Sequence, residues 1–326
     1  MLYVFNVVLP VFLLILIGYA CGRTGKLGVS ASVELNRFVV WLALPAQLFN
    51  FAANSGWETL WQPSFIAAFL ISCFLVFILV LFVSWSRDRD LAAASFNGLS
   101  ASYSNTGYMG IPLCALALGQ DGLAPAIIST FLVFVMFALA TILIEIAILS
   151  HKKSHEIVFS VIKSLCSNPL LVAPVAGLVW ATTGLQLYDP LSQVIAFLAA
   201  AATPCALVSI GLFLMRKSEA ASRQAWGISF AKLIIQPLIA WIIAGPILGL
   251  PSLWLNAIVI LSALPTGTGP FMLAQYYKAD GSVISRVVLI TTIGSLITLS
   301  LFLWSSNGVY PLSIDLFFPR GIDKGG

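Results

Sequence analysis

Charged residues are scarce in this chain. They make up 9% of its 326 residues, against about 25% in soluble domains. A chain so poor in charge has no means of covering itself with a water-compatible surface, which excludes an ordinary soluble domain. Cysteines number five, at positions 21, 73, 114, 166 and 205, with no CxxC pair. That spacing indicates neither a disulfide framework nor a metal site and leaves small packing residues in or beside apolar segments. The two histidines, His151 and His155, share one polar connection. No HExxH, P-loop or paired-aspartate pattern occurs, and no carboxylate lies near the centre of any apolar run. Neither an enzyme nor a resident cofactor nor a metal is expected. A net charge of +4 is no nucleic-acid signal either, because topology explains where the basic residues fall.

What is present is apolar. Hydrophobic residues are 60% of the chain and the mean hydropathy is +1.02. The apolar runs are continuous and do not alternate, which argues for membrane-spanning helices and against a β-barrel. At roughly 20 residues per span, ten spans fit, at about 4–22, 33–53, 63–86, 91–118, 122–150, 163–183, 190–215, 225–249, 253–277 and 282–306. Residues 157–165 read as an interfacial helix leading into the sixth. The first run has no preceding positive charge and is followed by Arg23 and Lys26, the order of an uncleaved first helix rather than a signal peptide.

Basic residues fall in alternate loops. Arg23, Lys26 and Arg37 flank the first loop, Arg87 and Arg89 the third, Lys152, Lys153 and Lys163 the fifth, Arg216, Lys217 and Arg223 the seventh, and Lys278 and Arg286 the ninth. The even loops carry none. By the positive-inside rule the odd loops are cytoplasmic and both termini lie outside the inner (plasma) membrane. Arg320 and Lys324, in the C-terminal tail, depart from the pattern, as does Lys232 within a span.

The chain also repeats itself. Pro10, Gly18, Thr24-Gly25, Pro45, Gly110 and Asp121-Gly122 recur 159 residues later as Pro169, Gly177, Thr183-Gly184, Pro204, Gly269 and Asp280-Gly281. Each half holds five spans, an odd number, so the halves enter the membrane from opposite sides. The expected fold is an all-α integral membrane protein of ten transmembrane helices in two inverted five-helix repeats: 1–150, a cytoplasmic linker 151–162, 163–310, and a tail 311–326. Inverted repeats are the architecture of many secondary transporters.

Two polar stretches occupy equivalent places in spans four and nine, "SYSNTGYMGIPLC" and "LPTGTGPF". Pro112, Gly107 and Gly110 in the first, and Pro265, Gly267, Gly269 and Pro270 in the second, are expected to break the two helices where they cross. Unwound backbone at membrane depth must be buried in protein or line a water-filled cavity. Asn105, Thr106, Tyr108, Thr266 and Thr268 are the candidate substrate ligands, assisted by half-helix N-termini that attract anions. Gln47, after Pro45 in span two, is a further candidate, although Pro45 and Pro204 also read as packing kinks. Lys232 either reaches the site, with Gln236 one turn further on the same face, or snorkels to the cytoplasmic surface. Glu145 lies nearer the cytoplasmic end of span five, snorkelling or paired.

The stretches "NVVLPVFLLILIGYACGR", "LNRFVVWLALPAQLF", "SNTGYMGIPL" and "FAKLIIQPL" resemble bacterial members of the auxin efflux carrier family, in order and over nearly the whole chain. The resemblance implies a fold similar to bile acid–sodium symporters. Spans 1, 2, 6 and 7 would form a scaffold, spans 3–5 and 8–10 a moving transport domain, and the scaffold would form a homodimer. It also implies a carboxylate-binding role for Asn105 and crossover roles for Pro112 and Pro270. The chain lacks the long central loop of the plant members, and Gln47 and Asn50 stand where those have an acidic and basic pair. The resemblance therefore points to small carboxylates such as malate or malonate rather than auxin. The expected function is a secondary transporter of a small organic anion in the lipid bilayer, of the elevator type, exporting under the membrane potential. A proton- or sodium-coupled symporter and a passive channel are the alternatives, and a receptor that binds without flux is a third class.

Overall fold

A computed structural model describes residues 2–54, 60–148, 169–215 and 223–305. The interfacial helix expected at 157–165, the linker 151–162 and the tail 311–326 lie outside them. Among the described residues the chain is helical throughout, with one isolated antiparallel bridge in place of any strand.

The helices are α1 (Leu2–Arg23), α2 (Val29–Phe38, a π turn Val39–Ala43, then Leu44–Asn54), α3 (Pro63–Asp88) and α4 (Leu91–Ser102). After an interruption comes α5 (a π turn Thr106–Gly110, then Ile111–Leu118), followed by α6 (Leu123–Ile148), α7 (Pro169–Thr183) and α8 (Asp189–Leu214). Next is α9, which runs through Arg223–Phe230, Ala231–Ile235, Gln236–Ile242 and Ile243–Ile247. The chain closes with α10 (Ser252–Ala263), a second interruption, α11 (Gly269–Tyr276) and α12 (Ser282–Ser305). Five of the helical stretches are long and apolar enough to cross a membrane unaided: Pro63–Asp88, Gln120–Ala147, Asp189–Leu214, Arg223–Ile247 and Ser282–Trp304. The others are shorter, and the pairs α4/α5 and α10/α11 are short because the chain is interrupted within them.

The prolines are absorbed in a way the sequence did not suggest. π turns begin at Val39, Thr106 and Ala231, each six residues before Pro45, Pro112 and Pro237. Proline has no N–H and its ring strikes the carbonyl four residues back. Widening the preceding turn, with Leu44 N–H reaching Val39 O and Ile111 N–H reaching Thr106 O, makes room without ending the helix. Pro112 therefore sits inside α5 and does not break it.

The packing sorts the helices into two groups. Helix α1 lies along α8, α7 along the second half of α2, and α8 also contacts α2. Gly18 and Gly211 allow α1 and α8 to touch backbone to backbone: a Cβ at Gly211 would overlap the Ile15 carbonyl and a Cβ at Gly18 the Val208 carbonyl. Ser32 and Ser209 pin α2 to α8 by exchanging hydrogen bonds, each hydroxyl donating to the other's carbonyl at 3.3 and 3.1 Å. In the other group α3 packs on α4 and α9, α4 on α6, α9 on α10 and α12. Its interior is filled by Phe65, Phe69 and Phe77 of α3 with Leu99, Met109, Leu113 and Ile127. Buried hydroxyls such as Ser100 and Thr130 donate to carbonyls one turn back, at 2.8 and 2.9 Å, which satisfies them without a side-chain partner. Outward faces are equally apolar, with Trp41, Phe82 and Phe197 exposed, as helices in lipid require.

Candidate functional site

The two interruptions meet. Leu264 precedes Pro265, which bars it from helical geometry, and it is extended at φ −59, ψ 153. Tyr103 ends α4 in a β conformation. The extended segments then pair: Asn105 N–H donates to Pro265 O and Gly267 N–H to Tyr103 O, both at 2.9 Å, around the antiparallel bridge of Ser104 and Thr266. Each break thus supplies the hydrogen bonds that the other has lost. The first lies at Tyr103–Asn105, ahead of Gly107, Gly110 and Pro112. Gly107 and Gly110 belong to the π turn of α5, where Gly110 packs on Leu261. Pro112 and Pro270 are the second residues of regular α segments after the breaks, while Pro265 and Gly267 are in the second break itself.

Beside this pairing is a cavity of about 110 Å³, room for a ligand of several heavy atoms. One end is polar, lined by Ser104, Asn105, Thr106 and Gly107 from the first break and by Thr268 and Gly269 from the second. The other end is apolar, formed by Val40 and Leu44 of α2 and Val133, Phe134 and Phe137 of α6, with Thr130 nearby. Asn105 is 7% exposed and its side-chain amide has no hydrogen-bond partner among the described residues. The buried hydroxyls of Ser104 and Thr106 are likewise unpartnered. Helix starts leave N–H groups with no carbonyl one turn back, although at α5 the Thr106 N–H is taken by Ser104 O at 2.8 Å and at α11 Pro270 has none. No charged side chain lines the cavity among the described residues.

A second cavity, of about 230 Å³, adjoins the first and shares Thr268 and Met272 with it; Ser32, Asn36, Arg37 and Ser209 are among its lining. Between them the Tyr108 hydroxyl donates to Asn36 Oδ1 at 2.7 Å, a bond from α5 to α2 that forms a septum. Arg37, which lines the second cavity, is paired with Glu34 at 2.9 Å.

Of the expected ligands, Asn105, Thr106, Tyr108 and Thr268 are brought together around the first cavity. Four others, Thr266, Lys232, Gln236 and Gln47, are not. Thr266 is turned away: its hydroxyl donates to Ser100 O at 2.7 Å and its N–H to Thr291 Oγ1 at 3.1 Å. Lys232 neither lines the cavity nor snorkels; it is 0% exposed and donates to Ser262 O at 2.7 Å. Gln236 donates to Ser102 O at 3.2 Å and to Cys73 Sγ at 3.3 Å. Thr266, Lys232 and Gln236 all close the ends of interrupted helices, where backbone carbonyls lack partners. Gln47 is half-buried on α2 and does not line either cavity. Glu145 is buried and accepts from the Tyr277 hydroxyl at 2.5 Å. Phe134, Phe137 and Asn36 carry no pattern that singles them out in sequence, and Tyr103, though inside the first polar stretch, is not among the expected ligands. The two phenylalanines are aromatic residues among many, and Asn36 reads as a polar residue near a loop.

The sequence profile of a family described as "Membrane transport protein" matches residues 3–303. The chain belongs to the membrane transport protein family. This is the family that the quoted motifs resemble. A protein of Rhizobium meliloti described as "Putative malonate transporter" is 31% identical over 316 residues, covering 96% of this chain and 98% of the relative. An uncharacterized transporter of Methanocaldococcus jannaschii is 26% identical over 313 residues, covering 92% and 97%. The uncharacterized transporter YfdV of Escherichia coli is 25% identical over 311 residues, covering 92% and 96%. The family and these relatives are membrane transporters, so this protein is a membrane transporter and not an enzyme.

Proposed function

We propose that the protein carries a small organic carboxylate by alternating access, with the cavity beside the paired breaks as its binding site. The observation that carries this reading is the Asn105 amide, unpartnered and facing the cavity at the point where two interrupted helices meet. A carboxylate would accept from that amide, from the hydroxyls of Ser104, Thr106 and Thr268, and from half-helix N–H groups. Such preorganised neutral donors stabilise an anion without a paired cation. The name of the Rhizobium meliloti relative makes malonate the first substrate to test.

The helix packing supports an elevator-type motion. The group of α1, α2, α7 and α8 would be the scaffold, and through it the homodimer contact. The group containing both breaks would move against it in the inner membrane, with both chain termini outside. The septum of Tyr108 and Asn36 spans the two groups, which favours a gated carrier over a passive channel. Export of an anion from a negative-inside cell is downhill by about 2.3 kcal/mol per charge at 100 mV, so the potential alone suffices to drive efflux.

Buried Glu145, hydrogen-bonded to Tyr277, is the feature that favours a second reading, proton-coupled transport. Purified protein in proteoliposomes separates them. Saturable counterflow of labelled malonate, driven by an imposed potential with no proton or sodium gradient, is the expected result. Flux that needs a proton gradient and ignores the potential establishes the coupled reading, and unsaturable conductance a channel. Asn105→Ala should weaken binding by about 1–3 kcal/mol with expression unchanged; wild-type affinity and flux would refute the site.

A further inference from the structure

Lys232 and Gln236 stand one turn apart on the same face of α9 and reach two different helix ends. The Lys232 ammonium donates to the carbonyl of Ser262, the next-to-last residue of α10. The Gln236 amide donates to the carbonyl of Ser102, the last residue of α4. These are the C-terminal ends of the two helices that stop at the paired breaks. Their last carbonyls have no intrahelical partner, and the negative end of each peptide dipole points there. One helix therefore closes both ends, with a full charge at one and an amide at the other.

The ammonium is fully buried, and no carboxylate pairs with it among the described residues. An isolated buried charge is costly, and the carbonyl end of α10 is what offsets it. Two further oxygens on the same residues are left over, and neither is hydrogen-bonded to the ammonium. Ser262 Oγ and Gln236 Oε1 are both buried without a hydrogen-bond partner, one on the residue that accepts from Lys232 and the other one turn along its own helix. Backbone carbonyls at the C-terminal end of an interrupted helix are the groups that coordinate small monovalent cations at broken helices.

We propose that Lys232 is a positioning residue, a tethered cation that stands where a free monovalent cation would otherwise be needed to close the end of α10, with Gln236 as its neutral counterpart at α4. Lys232 touches no substrate in this arrangement. It holds the Ser262 end, and through it the break from Leu264 to Thr268, in the geometry that lines the cavity. The inference rests on the transporter reading for its consequence, transport without a coupling ion, but not for its structural content.

The test is chemical rescue. Lys232→Ala removes the ammonium and leaves a space at the Ser262 carbonyl. Malonate counterflow in proteoliposomes should fall about ten- to a hundred-fold, the loss of a hydrogen bond to a charged group. Ethylammonium or methylammonium should restore it saturably, and tetramethylammonium, with no N–H and a larger radius, should not. Thermal melting of the same variant in detergent should show the same ordering of the amines. A variant that transports like the wild type, or whose loss no small cation reverses, overturns the proposal. If Lys232→Ala does not fold, Lys232→Gln keeps bulk and a donor without charge. It should fold, yet bind malonate more weakly, and wild-type affinity in that variant also overturns the proposal. If the wild type moves no malonate, the transport reading fails for that substrate, and amine-dependent melting of Lys232→Ala alone decides the role of Lys232.

Discussion

Gly267 and Gly269 lie under the ring of Tyr103, and replacing Gly269 by alanine tests whether that contact shapes the cavity. A Cβ at Gly269 would stand 2.7 Å from Tyr103 Cζ and 3.0 Å from its hydroxyl oxygen; at Gly267 it would stand 2.9 Å from Cε1. Carbon atoms in contact prefer about 3.5–4.0 Å, so the overlap at Gly269 is close to an ångström. The ring packs on Phe137, with centroids 6.2 Å apart, and both aromatics line the cavity. A ring displaced by the new methyl group should encroach on that cavity. Gly269→Ala should cost about 1–3 kcal/mol of stability, as overpacked cores do, and should weaken malonate binding. The assay is thermal melting of the purified protein with and without malonate. The decisive arm is the double variant Gly269→Ala/Tyr103→Leu, in which the clashing ring is gone. It should be more stable than the sum of the two single losses predicts, because the residues are in contact. A neutral Gly269→Ala, or strict additivity in the double variant, would refute the reasoning.

Removing the septum bond by Tyr108→Phe should cost about 0.5–1.5 kcal/mol, and Asn36→Ala should add little on top of it; a double-mutant cycle in thermal melting checks the coupling, which should vanish if the two residues do not share a bond. Pro112→Ala should leave counterflow near wild type and change stability by less than about 1 kcal/mol, since the π turn before it already accommodates the ring; loss of flux would mean that the proline itself maintains the break. Asp280, in the connection before α12, accepts from the N–H and hydroxyl of Ser282, and these bonds hold its carboxyl below the usual carboxylate range. Its contribution to stability is therefore present above its unfolded value and lost as pH falls through the lower folded one. Melting of Asp280→Asn against pH should show a shallower acid limb than the wild type, and an unchanged limb would remove Asp280 from the account.

Much of the site was legible because breaking a membrane helix requires unusual residues. Asn105, Thr106, Tyr108 and Thr268 stood out as polar groups among Gly and Pro at membrane depth, and they do surround one cavity. The position of the first break was not legible. Pro112 is the strongest helix breaker in its stretch, yet the chain parts nine residues earlier at Tyr103, because a π turn absorbs the proline and the second break offers Tyr103 and Asn105 backbone partners. Thr266 and Lys232 look in sequence like ligands for a substrate; in the fold they are ligands for carbonyl groups of the protein itself.

Composition and pattern alone determined that this is a helical membrane protein, because continuous apolar runs with 9% charge have no other stable arrangement. They also indicated that the two polar interruptions had to be sheltered by protein, since lipid offers an unwound backbone no hydrogen bonds. Only the tertiary structure decided which polar groups face the cavity and which are consumed in holding it open. That choice depends on where the ends of α4 and α10 point, and on α9 carrying Lys232 and Gln236 past both of them. Such contacts join Ser100 to Thr266, Ser102 to Gln236 and Ser262 to Lys232 across 166, 134 and 30 residues. No local pattern encodes a separation of that kind. The pairing exists because buried carbonyls at helix ends must find donors, and the fold determines which donors are within reach.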